Sequence, residues 1–83
     1  MTIYRKVKRV IDRDTFQTYR KIQGTDRVRI AGVYGAELNT VRGRLQRDQM
    51  KRQIQGKTVT LQPVGRSYSR VVANVRHNRR LVR

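Results

Sequence analysis

Arg29 and Glu37 are the residues whose types and spacing suit chemistry. Val28-Arg29-Ile30 alternates apolar and basic residues with the period of a strand. Gly32 and Gly35 then break the run, and Glu37 follows eight positions after Arg29. An arginine on a rigid strand and a carboxylate just past its end can converge on one phosphate. The same residues also suit a solvated strand arginine and a loop glutamate, so this stretch alone leaves both readings open. Asp12 and Asp14, in Asp12-Arg13-Asp14-Thr15, suit a tight turn, because short acidic side chains bond to nearby backbone amides. His77 is the single histidine and there is no cysteine, which excludes a zinc site of the usual nitrogen–sulfur kind.

Charge narrows the partner class. Twenty-one Lys and Arg stand against five Asp and Glu, a formal net charge of +16 spread from Arg5 to Arg83. A polyanion is the expected partner, nucleic acid foremost. Arginine outnumbers lysine, which favours bidentate phosphate contacts. The Arg42, Arg44, Arg47, Lys51 and Arg52 set suits either a solvated helix face or a surface that tracks a phosphate backbone. No disulfide can form, no apolar run follows the basic start, and no stretch approaches a membrane span. The expectation is a cytoplasmic protein with no membrane partner.

These residues need a scaffold, and 83 residues allow one domain over 1–83. The spacing predicts a first strand over Ile3–Ile11, the Asp12–Thr15 turn and a second strand over Phe16–Ile22. Gly24-Thr25-Asp26 then turns into a third strand around Val28–Ile30, completing an antiparallel meander. Asn39-Thr40 predicts a helix N-cap and Val41–Ile54 the helix, with Val41, Leu45, Met50 and Ile54 its apolar points. Gly43 weakens that pattern, and Gly56 stops it. A fourth strand starts at Lys57 and ends at Pro63, Gly65–Ser69 is a loop, and Arg70–Arg76 is a fifth strand. His77-Asn78 turns, with Leu81-Val82 a short extension. Three strands, a helix and two strands is the order of a mainly β, five-stranded OB barrel with its helix between strands 3 and 4.

Four stretches in this order resemble the staphylococcal nuclease (thermonuclease-like) family. They are Val7-Lys8-Arg9-Val10-Ile11-Asp12-Arg13-Asp14-Thr15-Phe16, Arg29-Ile30-Ala31-Gly32-Val33 with Glu37, Gly56-Lys57-Thr58-Val59, and Tyr68-Ser69-Arg70-Val71-Val72-Ala73. The resemblance covers nearly the whole chain. It implies a phosphodiesterase site on an OB fold, with calcium held by acids, two arginines offsetting charge on the phosphoryl group, and a glutamate able to take a proton from water. By the resemblance Asp14 matches the first metal aspartate and Asp12 its neighbour. Arg29 and Arg70 match the catalytic arginines, Glu37 the glutamate, and Tyr68 a tyrosine that lies along the bound nucleotide. The chain departs from the family's pattern at several positions. Tyr34 stands where the family has a second calcium aspartate, Arg13 replaces a turn glycine, Ala36 a proline and Ser69 a glycine.

These departures imply a degenerate calcium site. The expectation is therefore a nucleic-acid-binding OB-fold protein with weakened or lost phosphodiesterase activity, DNA and RNA both being open. Its candidate contacts are Arg29, Arg70, Tyr68, Tyr34, Arg13 and Arg66. The alternative is a metal-dependent nuclease acting through Arg29, Glu37 and Arg70. A third reading is an interaction module that self-associates or sits in a larger assembly, where a partner replaces the further helices of full-length family members.

Overall fold

The computed structural model describes residues 2–83. Its elements are β1 (Ile3–Asp12), β2 (Thr15–Ile22), β3 (Thr25–Ile30), α1 (Val41–Ile54), β4 (Thr58–Ser67), β5 (Arg70–His77) and β6 (Arg80–Leu81). The hydrogen-bonded order is β3-β2-β1-β4-β5-β6, and β3 also pairs with β5. Five strands therefore close into a barrel, and β6 is a short addition to β5. The closing pair is parallel, with Val28 opposite Val71 and Ile30 opposite Ala73. The fold is mainly β with one helix between β3 and β4, an OB-like arrangement in agreement with the order of elements read from the sequence.

Closure depends on β1 serving two neighbours. Ile3 to Lys6 pairs with β4, and Val7 to Asp12 pairs with β2. Register shifts between Val7 and Arg9, and between Val10 and Asp12, let the strand bend from one partner to the other. Backbone groups at the bend find partners at the end of α1. Gln55 Oε1 accepts from the Val10 amide at 3.0 Å. The Val7 amide donates to the Lys57 carbonyl, and the Gly56 amide to the Val7 carbonyl, both at 2.9 Å.

Alternation does the rest. Val7, Val10, Phe16, Val28, Ile30, Leu61, Val71 and Val75 point inward and are buried, joined by Met50 and Ile54 of α1. Each such side chain contributes about 1.5–3 kcal/mol through burial. No helix among the described residues is long and apolar enough to cross a membrane.

Several local expectations need correction. Pro63 does not end β4; it pairs with Ala73 next to a register shift before Gly65, and the strand runs on to Ser67. A bulge tolerates a residue that has no amide to give. The loop placed at Gly65–Ser69 therefore shrinks to Tyr68-Ser69. His77 is paired with Arg80, and the turn is Asn78-Arg79, both with positive φ, as a tight hairpin demands. Gln23 and Gly24 likewise form the β2–β3 turn, so Thr25 and Asp26 already lie in β3.

Helix α1 has the predicted bounds, but Val41 and Leu45 are 67% and 58% exposed. Its buried residues are Gly43, Met50 and Ile54. The first half of the helix lies against the loop before it. A Cβ on Gly43 would collide with the Glu37 carbonyl and sit 2.9 Å from the Ala36 carbonyl oxygen. The glycine that weakens the helical pattern is what allows this close approach.

Candidate functional site

The barrel's outer face across β2, β3 and β5 gathers the candidate residues around one turn. Thr15 opens β2 opposite Arg29 of β3, and Arg29 lies opposite Val72 of β5. Inward-facing Phe16, Val28 and Val71 fix the phase, so Thr15 and Arg29 share the outward side. Arg70, two residues before Val72, reaches back across the face, and its guanidinium donates to Thr15 Oγ1 at 3.2 Å. Thr15 Oγ1 in turn donates to Asp14 Oδ1 at 2.8 Å. The Arg29 guanidinium stands 3.7 Å from Asp14 Oδ2. Both arginines thus converge on the Asp14–Thr15 step.

The turn itself is built as its sequence suggests. Asp12 Oδ1 accepts from the Asp14 amide at 3.1 Å, which closes the bend around Arg13. Burial pushes the Asp12 carboxyl up to about 6, assisted by its hydrogen bond to Asp14 and repulsion from it. Asp14 moves the other way. Burial opposes its ionisation, but hydrogen bonds from Asp12 and Thr15 and the charges of Arg29 and Arg70 outweigh that and hold its pKa below the usual range. The negative charge of the pair is therefore concentrated on Asp14, next to the arginines.

The loop from Ala31 to Thr40 supplies the second wall. Buried Val33 anchors it, and Arg29 donates to the Val33 carbonyl at 3.3 Å. Tyr34 lies with its ring centroid 5.2 Å from the Arg29 guanidinium, while 74% of the residue stays exposed. Gly35 packs on Arg13, where an added Cβ would come within 3.0 Å of the Arg13 Cβ. The Ala36 amide donates to Gln46 Oε1 of α1 at 2.8 Å.

Glu37 contributes its backbone to the start of the helix, its carbonyl accepting from Thr40 Oγ1 at 2.7 Å. Its side chain is exposed, and among the described residues no ion pair or hydrogen bond joins it to Arg29 or Arg70. The carboxylate that meets Arg29 is Asp14. Arg66 and Tyr68 sit at the β4–β5 tip, where Ser67 pairs with Arg70. The tip is tied to the β2–β3 turn by Arg66 donating to the Gln23 carbonyl at 2.9 Å and by Thr25 Oγ1 donating to the Ser69 carbonyl at 2.7 Å. Tyr68 adopts a positive φ of 57° and is 94% exposed.

Calcium favours six to eight oxygen ligands, carboxylates prominent among them. Here Asp14 already faces Arg29, Asp12 accepts from a backbone amide, and the Tyr34 ring lies against a guanidinium. Among the described residues no three His, Asp or Glu side chains gather as a ligand set. This donor set fits a hard divalent cation poorly. It suits an anion better: each guanidinium carries five N–H donors, and one carboxylate opposes two such groups.

A concavity of about 550 Å³ lies elsewhere, among Gln53, Lys57, His77, Asn78, Arg80 and Val82 at the far end of β5. None of Asp14, Thr15, Arg29 and Arg70 lines that concavity. Sequence reasoning passed over Thr15, whose hydroxyl joins Asp14 to Arg70. The signal was its position after Asp14 at the start of a strand. Compared with known proteins, the chain matches no protein-family model and no curated protein.

Proposed function

We propose that this protein binds nucleic acid without sequence preference, through the outer barrel face that carries Arg29 and Arg70. The observation that carries the reading is the convergence of those two arginines on one turn, in a chain of net charge +16. Two guanidiniums held by strands form a fixed fork for successive phosphates. The exposed rings of Tyr34, and of Tyr68 with Arg66 at the β4–β5 tip, extend the face with groups on which bases stack. Kinship with the staphylococcal nuclease family is part of this proposal, supported by Asp14, Arg29 and Arg70 meeting at one place. Calcium is not part of it, because Asp14 is engaged by Arg29 and Tyr34 stands where a further carboxylate is needed. Glu37, which among the described residues forms no ion pair with either arginine, favours binding over hydrolysis.

The test is fluorescence anisotropy with labelled oligonucleotides, over a salt series, with calcium or chelator. Affinity should fall with salt at a log–log slope of about −4.5 if about five duplex phosphates are neutralised. Arg29→Ala with Arg70→Ala should weaken binding more than Arg79→Ala with Arg80→Ala, circular dichroism confirming that both stay folded. Calcium should change neither affinity nor oligonucleotide length. Equal losses from the two double variants would mean that charge alone acts. Calcium-dependent cleavage abolished by Glu37→Gln would replace this reading with the nuclease.

A further inference from the structure

A second aromatic and basic surface lies on the barrel wall formed by β1 and β2. On β1, Tyr4, Lys6 and Lys8 alternate with Arg5 and buried Val7, so all three face outward. Val7 is opposite Thr18, which sets Lys6 beside Tyr19 across the strands. The register shift between Val7 and Arg9 adds a residue to β1 here and keeps Lys8 on the same side. As a result both ammonium groups flank one ring: Lys6 Nζ is 5.8 Å and Lys8 Nζ 5.9 Å from the Tyr19 centroid. The ring remains largely open, Tyr19 being 60% exposed and Tyr4, on the same wall, 67%.

Two cation–π contacts account for the lysine placement, but leaving two tyrosines in water on one wall gains nothing for the fold. Their hydrogen-bonding hydroxyls do not require the rings to be exposed. A wall of this composition fits one ligand chemistry. A base laid on the Tyr19 ring brings its own flanking phosphates towards the two ammonium groups, which need only swing from ring to phosphate. Duplex bases are stacked on one another and offer no free face, so the fit is to unpaired nucleotides.

We propose that Tyr19, flanked by Lys6 and Lys8, is a stacking platform for single-stranded nucleic acid, separate from the Arg29–Arg70 face. The proposal rests on the nucleic-acid reading above and adds to it the strand form. A strand crossing from the arginine face over β2 to β1 meets phosphate contacts first and a base-stacking contact second. Duplex engages only the first.

The experiment compares a single-stranded and a duplex oligonucleotide of equal length against the full chain. Tyr19→Ala should weaken single-strand binding about tenfold and change duplex binding less than twofold. Tyr19→Phe, which keeps the ring, should retain parental affinity. Lys6→Gln with Lys8→Gln should flatten the single-strand salt slope by about 1.4, two phosphate contacts being lost. Because the chain has no tryptophan, Tyr19→Trp places a lone indole on the platform, and single strands should quench it while duplex leaves it bright. Equal effects of Tyr19→Ala on both strand forms, or an indole that no single strand quenches, overturn the platform even if Arg29 and Arg70 still govern binding. Absence of binding to either oligonucleotide overturns the nucleic-acid reading itself, and the platform with it.

Discussion

Asp12 and Asp14 show how two identical side chains in one turn come to carry different roles. Asp14 is stabilised as an anion by Thr15 and the two arginines, whereas Asp12 is half-buried with the Asp14 carboxyl as its neighbour. The folded-state pKa of Asp12, about 6, lies above the ordinary 3.8. The folded chain therefore holds this proton more tightly than the unfolded chain does. The stability it contributes is fully present below 3.8 and is lost as pH rises through about 6. At neutral pH the ionised Asp12 is a cost. Asp12→Asn keeps the acceptor for the Asp14 amide and removes the charge. It should raise stability at pH 7 by about 1 kcal/mol, a value discounted for the exposure of the turn, with the gap closing towards pH 4. Urea melts at the two pH values measure this, and a variant less stable than the parent at pH 7 would contradict the charge assignment.

At the scale of elements, the junction between the Ala31–Thr40 loop and α1 is the tightest part of the site. Thr40 caps the helix by accepting from the Gly43 amide at 3.0 Å, and the same hydroxyl donates to Glu37. Gly43 leaves room for the Glu37 and Ala36 carbonyls. Helix propensity alone predicts that Gly43→Ala stabilises the protein by about 1 kcal/mol. The close approach predicts the reverse, a loss of about 1–3 kcal/mol as the loop is pushed away. Because that loop carries Tyr34 and receives the Arg29 hydrogen bond at Val33, oligonucleotide affinity should fall as well. A thermal melt decides the sign, and a more stable Gly43→Ala would show that the loop yields freely.

For the whole molecule, a barrel with a small core must fold against repulsion among 21 cationic side chains, with five acids to offset them. Stability should therefore be modest and should rise with ionic strength as like charges are screened. A polyanion that binds only the folded chain adds to this, by about 2.7 kcal/mol at a hundredfold excess over its Kd. The melting temperature should climb with added oligonucleotide at low salt, and the increment should shrink as salt rises. A melt unmoved by saturating oligonucleotide would remove the basis for the proposed function.

Much of this architecture was legible in the chain. Alternation from Ile3 to Ile30 and from Thr58 to Val75, the turn residues between strands, and the Thr40 and Gly56 signals around α1 each rest on local backbone chemistry, which neighbouring residues largely decide. The fold class followed from their order. What remained hidden depended on distant residues. Pro63 reads as a stop until Ala73 lies opposite it at a bulge, and Gly43 reads as a weak helix residue until the Glu37 carbonyl occupies its missing side chain's space. The site divides the same way. Arg29 and Asp14 were identifiable as charged groups near turns. Spacing paired Arg29 with Glu37, whereas the β2–β3 register brings it to Asp14 and the parallel β3–β5 pairing brings Arg70 alongside. Sequence distance measures reach along the chain. A closed barrel replaces it with distance across strands, and only closure decides which charges meet.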